Sequence, residues 1–379
     1  MRRPQGDVGI VWTYRNPVRI EFGVGAFAKL PGLMAGRRYV LVTYPEPAFA
    51  RLSDRLASEA GPPAAVVDDV SPNPDFVRLA EQTARLGNRP YDVIIALGGG
   101  SVIDTAKALA AAPGDFAPVR DFVEGDGDAS ALASTPILAV PTTAGTGSEV
   151  TCWATLWDEA AQKKYSLARD SLYPERAVVD PELMQGKPRD LTVATGLDAL
   201  SHALESIWNV NANAISTQFA VSAARRILAI LPRLVEEPEC LAFRTQMAQA
   251  ALFAGLAFSN TKTALAHSLS YPITLRHGVA HGIACSFTLP QVLLSLAGRN
   301  DACTEALIAI FDTKPSQAAE FLSWFMDGLG VSCHPRDYGV GGDEWADIVE
   351  GAFAGERGRN FIGTKPEFLA ACGAMGYGA

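Results

Sequence analysis

Charged residues are scarce in this sequence. Asp, Glu, Lys and Arg make up 19% of its 379 residues, against about 25% in an average soluble protein. The formal net charge is −9, and Lys and Arg are nowhere concentrated. Binding the phosphates of a nucleic acid requires a field of basic residues, so we expect no nucleic-acid partner.

Apolar residues make up 48% of the chain, which indicates extensive burial in a core or a subunit interface. We therefore expect a homo-oligomer, with a dimer as first choice.

Long apolar segments and paired cysteines are also missing. No run reaches the ~18 apolar residues of a membrane span, and the start, MRRPQGDVGIVW, has no apolar core of signal-peptide length. The six cysteines are scattered without a CxxC pair, which argues against a structural zinc site and favours reduced thiols. The sequence therefore predicts a cytoplasmic protein without a membrane partner.

What the chain does have is a change of pattern near its middle. Over residues 37–97 the short runs RRYVLVTY, AAVVDDV and YDVIIAL alternate with helical segments, a pattern typical of a parallel sheet with covering helices. From about Asp190 helical periodicity dominates. We predict an α/β domain with a parallel Rossmann-like sheet over residues 1–185, followed by an all-α domain over residues 186–379.

Two glycine-containing loops follow apolar strands in the first half. GGGSVID (98–104) opens a helix, and glycine there lets backbone amides and the helix N-terminus approach an anion. PTTAGTGSEV (141–150) adds hydroxyl groups beside flexible glycines. One such loop is equally well explained as a plain strand-to-helix turn, but two favour a dinucleotide lying across both, although the spacing is not GxGxxG. The candidate cofactor residues in these loops are Gly98, Gly99, Gly100, Ser101, Asp104, Thr142, Thr143, Thr146 and Ser148.

Three of the five histidines lie between residues 267 and 281. In addition, TGLDALSHALESIW places Asp198 and His202 four residues apart, on one face of a predicted helix. With His267 and His281 they could form a site of one carboxylate and three imidazoles, which suits Fe²⁺ or Zn²⁺ and leaves room for a substrate oxygen. A lone histidine is more often a core residue. Four candidates on alanine-rich helices, where unpaired polar groups are costly, favour a metal ion.

At these spacings GGGSVIDTAK, PTTAGTGSEV, GLDALSHALES and AH…HG resemble the iron-containing (group III) alcohol dehydrogenases over nearly the whole chain. The resemblance implies the architecture shared with dehydroquinate synthase, a divalent metal (Fe²⁺, with Zn²⁺ or another ion as alternatives) and NADH or NADPH. It implies hydride transfer between nicotinamide and a carbonyl carbon, assisted by the metal as a Lewis acid. The implied metal ligands are Asp198, His202, His267 and His281.

The sequence departs from this family at a residue associated with proton handling. The family usually has a histidine four residues after its third metal ligand, where this chain has Tyr271. Tyr271 or His277 could then relay the proton, or metal-bound water and the nicotinamide ribose could suffice. Tyr271 is equally well explained as a packing residue before Pro272.

The residue after the second strand bears on the choice of cofactor. Relatives often carry an acid there that repels a 2′-phosphate, but VLVTYPEPAF has Tyr44. We predict that NADPH is accepted beside NADH, with Glu46 as the nearby acid that could restore exclusion.

Within the family, the segments KKYSL, ESIWNVNANAIS, SYPITLRHGVAHG and ERGRNFIG resemble phosphonoacetaldehyde reductases of phosphonate biosynthesis. The resemblance implies an anionic small-molecule substrate, phosphonoacetaldehyde, reduced to 2-hydroxyethylphosphonate. A phosphonate requires fixed cations and donors, and a solvated surface charge is the simpler explanation for any one of them. The candidates are Arg276 (the first choice, between the two histidines), Arg357, Arg359 and Asn360, with Lys164 near the substrate or the nicotinamide.

Three alternatives stay open at this point. The protein could be a generic member of the family acting on an uncharged or carboxylated carbonyl compound. It could be a relative of dehydroquinate synthase that recycles NAD within a cyclisation, or a catalytically silent nucleotide-binding protein.

Overall fold

The computed structural model describes residues 11–87, 89–112, 114–161 and 163–377. Within these residues the strands are β1 Arg19–Phe22, β2 Tyr39–Val42, β3 Ala65–Val67, β4 Val93–Gly98, β5 Ile137–Pro141, β6 Trp153–Asp158, β7 Lys163–Ala168 and β8 Arg176–Val179. Six of them form one sheet in the order β1-β8-β5-β4-β2-β3, and β6 and β7 form an antiparallel pair.

The centre of the six-stranded sheet is buried on both faces. Every residue of β2, β4 and β5 is buried, and their sequences are apolar throughout, as expected for strands covered on both sides. All pairings in this sheet are parallel, which confirms the predicted parallel sheet. Gly98 at the end of β4 lies beside Pro141 at the end of β5, so the two loops that follow start next to each other.

In the described part of the chain, five α-helices accompany the sheet, and one of them follows its strand almost without a connection. Gly99 is the only residue between β4 and the helix that follows it, and that helix is buried over most of its length. Because this connection is so short, the N-terminus of the helix lies at the edge of the sheet where β4 ends. Backbone amides at such a helix N-terminus can bind an anionic ligand. The helices are α1 Leu30–Met34, α2 Pro47–Ala60, α3 Phe76–Leu86, α4 Gly100–Ala111 and α5 Ala117–Glu124.

The second half of the chain is helical, as predicted. Its helices are α6 Arg189–Ile207, α7 Ala214–Glu236, α8 Leu241–Thr261, α9 Leu265–His277, α10 His281–Ala284, α11 Leu289–Ser295, α12 Ala302–Phe311, α13 Pro315–Gly328, α14 Gly342–Ala354 and α15 Lys365–Ala374. The central helix is α6, which is buried without interruption from Gly196 to Ile207. The boundary between residues 185 and 186 stays a prediction.

Among the described residues, α7 is the one helix that is long and apolar enough to cross a membrane. Length and composition alone are weak evidence, because the core helix of a globular protein passes the same test. Buried residues of α7, among them Ala220, Ala223 and Ile227, belong to the apolar core that α7 shares with α6 and α8.

The loop after β5 touches α8 through two glycines. Gly147 has a φ of +60°, a conformation that favours glycine. A Cβ atom on Gly147 would lie 2.6 Å from Cα of Gly255, and one on Gly255 would lie 3.0 Å from Cα of Gly147. The sheet half and the helical half therefore meet here backbone against backbone.

Candidate functional site

A cleft lies between the two halves, with an empty volume of about 860 Å³. One wall comes from the sheet half, including Gly100, Ser101, Asp104, Thr146, Ser148, Trp153, Trp157 and Lys164. The other comes from the helical half and consists of Asp198, His202, Phe258, Thr263, His267, Tyr271, His281 and Arg357.

The four predicted metal ligands converge at the base of this cleft. Nε2 of His202, His267 and His281 lie 3.7, 3.5 and 3.9 Å from Oδ1 of Asp198. Bonds of about 2.1 Å to a tetrahedral ion separate its ligand atoms by about 3.4 Å. The spacing around Asp198 is therefore that of a metal site, though the assignment of these four residues as ligands stays a prediction.

Local structure explains how the four side chains come together. Asp198 and His202 are one turn apart on α6, and His267 lies in the first turn of α9. His281 begins α10, and the next residue, Gly282, packs so tightly on α6 that a Cβ atom there would lie 1.9 Å from the carbonyl oxygen of Ala194. Gly282 thus permits the approach that places His281 near Asp198.

An unpartnered nitrogen that faces Asp198 indicates that a cation fits this cluster. Among the described residues, Nε2 of His267 has no hydrogen-bond partner, although it lies 3.5 Å from Oδ1 of Asp198, and an unsatisfied buried polar atom is costly. Burial lowers the pKa of His202 to about 4 and that of His281 to about 3. Both imidazoles are therefore neutral at pH 7, which is the form that binds metals.

Asp198 is a buried anion that a cation at the centre of the cluster would neutralise. Burial alone would raise the pKa of Asp198, but the neighbouring imidazoles hold it below its ordinary value. Burial alone would lower the pKa of His267, yet Cys285, Glu205 and Asp198 raise it well above its ordinary value.

Glu205 is a member of the site that the sequence analysis missed. It is fully buried on α6, and its carboxylate accepts hydrogen bonds from Nδ1 of His267 at 2.5 Å and from the backbone amide of His267 at 3.1 Å. A carboxylate on the far nitrogen of a histidine fixes the tautomer in which the other nitrogen is free to bind a metal. The available signal was its position three residues after His202, on the same helical face.

Cys285 is the second residue that the sequence analysis missed. Its Sγ lies 3.5 Å from Oδ1 of Asp198, and burial raises the pKa of its thiol to about 11. The ligand atoms of Asp198, His267, His281 and Cys285 all lie within 4.8 Å of one another. The signal was its place four residues after His281.

Tyr271 faces the cluster and carries two cations on its ring. The ring stacks parallel to His281 at 6.3 Å between centroids. Nζ of Lys164 lies 3.5 Å and Cζ of Arg357 5.0 Å from the centroid of Tyr271, and burial lowers the pKa of Lys164 well below its ordinary value. The cleft thus has two basic groups next to the predicted metal ligands: Arg357, which is always charged, and Lys164, whose charged form is disfavoured by burial.

Arg276 and His277 do not reach the cleft, contrary to the prediction that they act there. Arg276 follows His267 by nine residues, and at about 100° per residue it lies on the opposite side of α9. Its side chain is 60% exposed. Its Nη1 lies 3.3 Å and Nε2 of His277 lies 3.1 Å from the carboxylate of Glu344.

The remaining predicted substrate residues lie near one another but differ in exposure. Arg357 lines the cleft and donates to the hydroxyl of Thr263 at 3.1 Å. Asn360 donates to the carbonyl of Thr263 at 2.9 Å. Arg359 is exposed and donates to the carbonyl of Ala354. Of the predicted substrate cations, Arg357 and Lys164 line the cleft.

The two predicted phosphate loops lie side by side above the cluster. Thr142 donates its backbone amide to the carbonyl of Gly98 at 3.0 Å. A Cβ atom on Gly99 would lie 3.3 Å from Oγ1 of Thr143 and 3.7 Å from the hydroxyl of Tyr44. The first loop is therefore surrounded by Gly98, Gly99, Thr142, Thr143 and Tyr44. The residues that follow it, Gly100 and Ser101, line the cleft.

Asp104 braces the loops from within. Its carboxylate accepts from the Ser148 hydroxyl at 2.6 Å and from the Thr155 amide at 2.9 Å. Beside it the buried Lys107 donates to the carbonyls of Ser148 and Trp153. Although Asp104 lines the cleft, its hydrogen bonds join α4 to the second loop and to β6.

Comparison with known families gives two matches along the chain. Residues 17–181 match the model described as iron-containing alcohol dehydrogenase. Residues 192–367 match the model described as the C-terminal part of the Fe-containing alcohol dehydrogenase family. Together the two models cover most of the chain.

Individual relatives agree with these matches. The chain is 35% identical over 244 residues to the NAD-dependent methanol dehydrogenase of Bacillus methanolicus, an alignment that spans 64% of this chain and 64% of that enzyme. It is 36% identical over 285 residues to the phosphonoacetaldehyde reductase of Streptomyces viridochromogenes, spanning 72% of this chain and 71% of that enzyme.

Among solved structures, the sulfoacetaldehyde reductase from Bifidobacterium kashiwanohense in complex with NAD⁺ superimposes with a TM-score of 0.88. The two chains are 29% identical, and the superposition covers 96% of this chain and 98% of that one.

Proposed function

Because the chain belongs to the iron-containing alcohol dehydrogenase family, whose members are oxidoreductases that act on CH–OH groups, we propose that it is a metal-dependent, NAD(P)H-linked reductase of a short anionic aldehyde. The preferred substrate is phosphonoacetaldehyde, which gains a hydride and a proton and becomes 2-hydroxyethylphosphonate. The observation that carries the proposal is the pair of basic groups in the cleft, where Lys164 and Arg357 lie on the ring of Tyr271.

The metal would be held by the histidines and the carboxylate at the base of the cleft. Asp198, His202, His267 and His281 provide the donors, and Glu205 orients His267. A divalent cation in such a site, Fe²⁺ or alternatively Zn²⁺, polarises a carbonyl oxygen. The Asp198 carboxylate would offset part of the charge of the ion.

The cofactor would lie along the two loops. The start of α4 lies at the cleft, which Ser101, Thr146 and Ser148 also line, and a pyrophosphate can bind there. The reduced nicotinamide supplies the hydride. Since Tyr44 rather than an acid lies beside the first loop, we propose that NADPH is accepted as well as NADH.

The substrate's anionic tail would bind between Lys164 and Arg357. A two-carbon aldehyde is short, so its phosphonate must lie within a few ångströms of the metal. The stacking of Tyr271 on His281 places these two cations on that side of the cluster. A guanidinium and an ammonium in a partly desolvated cleft bind a doubly charged group well.

We assign the proton to Tyr271 rather than to His277. Burial raises the pKa of Tyr271, so its hydroxyl is protonated at pH 7 and can donate to a forming alkoxide. His277 is paired with Glu344 on the far side of α9. The proposal further includes a homodimer, which the apolar composition of the chain supports, and a cytoplasmic location.

The test is reduction of phosphonoacetaldehyde, sulfoacetaldehyde and uncharged propanal, followed at constant enzyme with NADH and with NADPH. We expect the highest kcat/KM for phosphonoacetaldehyde, with both cofactors used. A higher kcat/KM for propanal would instead favour a generic alcohol dehydrogenase, which the resemblance to methanol dehydrogenase also supports. A preference for sulfoacetaldehyde would keep the anionic class and change the substrate.

A further inference from the structure

Cys285 lies against the metal cluster and has no role in the function proposed above. It is fully buried at the C-terminal end of α10 and is a free thiol. Its Sγ makes two long contacts, 3.5 Å to Oδ1 of Asp198 and 3.5 Å to the carbonyl oxygen of Gly282. Neither partner provides a short hydrogen bond to the thiol.

The position of the sulfur is fixed from two directions. The backbone amide of Cys285 donates to the carbonyl of His281 at 2.9 Å. Its own carbonyl accepts from the hydroxyl of Ser201 on α6 at 2.9 Å. Hydrogen bonds to His281 and to Ser201 of α6 therefore hold Cys285 in place.

A second observation points to a ligand at the same place. Nε2 of His267, a residue only 2% exposed, has no partner among the described residues. This nitrogen, Sγ of Cys285, the Asp198 carboxylate and the His281 ring offer four donor atoms within 4.8 Å of one another. His202 is not part of that group, although its Nε2 lies 3.7 Å from Oδ1 of Asp198; its ring packs on Phe258 with the centroids 4.0 Å apart.

We infer that Cys285 is a ligand of the catalytic metal, together with Asp198, His267 and His281, and that His202 completes the site from the side of Phe258. The inference rests on the proposed function, because it requires that the cluster hold a divalent cation. The thiol loses its proton to solvent when the sulfur binds the ion, as coordinated thiols do. A site with a thiolate donor favours Zn²⁺ more strongly than a site with oxygen and nitrogen donors alone does.

Cobalt substitution tests the inference without relying on turnover. The full-length protein would be loaded with Co²⁺, the bound metal counted, and its absorption spectrum recorded. A thiolate ligand produces a sulfur-to-cobalt charge-transfer band in the near ultraviolet, whereas carboxylate and imidazole ligands alone do not. We expect this band in the wild type and in Cys303→Ser, a matched control at a buried cysteine of α12. In Cys285→Ser the band should be lost, and the affinity for Co²⁺ should fall at least about tenfold.

Each outcome decides the inference. One bound Co²⁺ in the wild type without the band would overturn it, whether or not Cys285→Ser folds, and the proposed function would stand with Cys285 donating to Asp198. A band that persists in folded Cys285→Ser would also overturn it. A wild type that binds no divalent metal but reduces aldehydes would overturn the inference and the proposed metal site together.

Discussion

The two ends of α9 carry similar residues but lie in opposite environments. At its start His267 is buried, with one ring nitrogen on Glu205 and the other directed to the cluster. At its end Arg276 and His277 lie near the surface, and both pair with Glu344. The function of a histidine depends on the groups that surround it. On a helix, those groups are determined by the side of the helix on which the histidine lies.

The same contrast separates the two arginines that were candidates for the phosphonate. Arg276 lies between two predicted ligands in sequence, yet it points away from them. Arg357 is distant in sequence, yet it reaches the ring of Tyr271. If the buried end of α9 is functional and the exposed end is structural, substitutions at the buried end should reduce activity, whereas substitutions at the exposed end should affect only stability.

The largest difference is expected between His267→Ala and His277→Ala. Loss of His267 removes a donor from the metal cluster, and metal assistance contributes several kcal/mol to such reactions, so kcat/KM should fall by about 10³-fold or more. His277→Ala should stay within about twofold of the wild type. Aldehyde reduction and the metal content of both variants are the measurements; equal losses would remove the distinction between the two ends.

A smaller effect is expected from Glu205, which acts on the reaction through His267. Glu205→Gln keeps the shape but weakens the acceptor for Nδ1 of His267, and such changes typically cost 10- to 100-fold in metal affinity. We would titrate the wild type and the variant with Zn²⁺ against a chelator. Unchanged affinity would mean that the pair of Glu205 and His267 serves only the packing of α6 on α9.

Comparable in size but specific to the substrate is the effect of Arg357. Charge-assisted hydrogen bonds contribute about 1.5–3 kcal/mol, so Arg357→Ala should lower kcat/KM for phosphonoacetaldehyde about ten- to a hundredfold. Propanal should be affected little. Arg276→Ala is the matched control and should change neither substrate; a loss confined to Arg276→Ala would reverse the assignment.

The smallest effect concerns the surface pair and depends on pH. Hydrogen bonds from His277 and Arg276 hold the pKa of Glu344 below its ordinary value of 4.5. A carboxyl with a lowered pKa in the folded state stabilises the fold above its ordinary value, and this contribution disappears as the pH falls through the folded-state pKa. Glu344→Gln should therefore lower the unfolding free energy at pH 7 by at most about 1 kcal/mol, and the difference should shrink steadily as the pH falls below 4.5. Thermal unfolding over a series of pH values would show it; a difference that does not shrink in acid would indicate lost packing instead.

Local patterns in the sequence were sufficient for the sheet and the loops. The apolar runs of β4 and β5 predict buried parallel strands, and the glycines after them lie where the structure has its two adjacent loops. The spacing of Asp198 and His202 likewise predicts that the two side chains lie on one face of a helix, because four residues are about one helical turn.

Features assembled from distant segments were not predictable in this way. Lys164, Tyr271 and Arg357 come from β7, α9 and the segment after α14, and no spacing rule connects them. Glu205 and Cys285 follow His202 and His281 by about one helical turn, a spacing that many ordinary core residues share. Arg276 was preferred for its nearness in sequence, and the direction of a side chain near the end of a helix overrides such nearness.

The contact of Gly147 with Gly255 has a consequence for how the cleft responds to its surroundings. The two halves meet there through backbone atoms, which have no charge to titrate and no side chain to change rotamer. The distance between the loop after β5 and the helical half should therefore be insensitive to ionic strength and acidity at that point. Added salt should weaken the binding of the proposed anionic substrate, but the width of the cleft at this contact should stay the same.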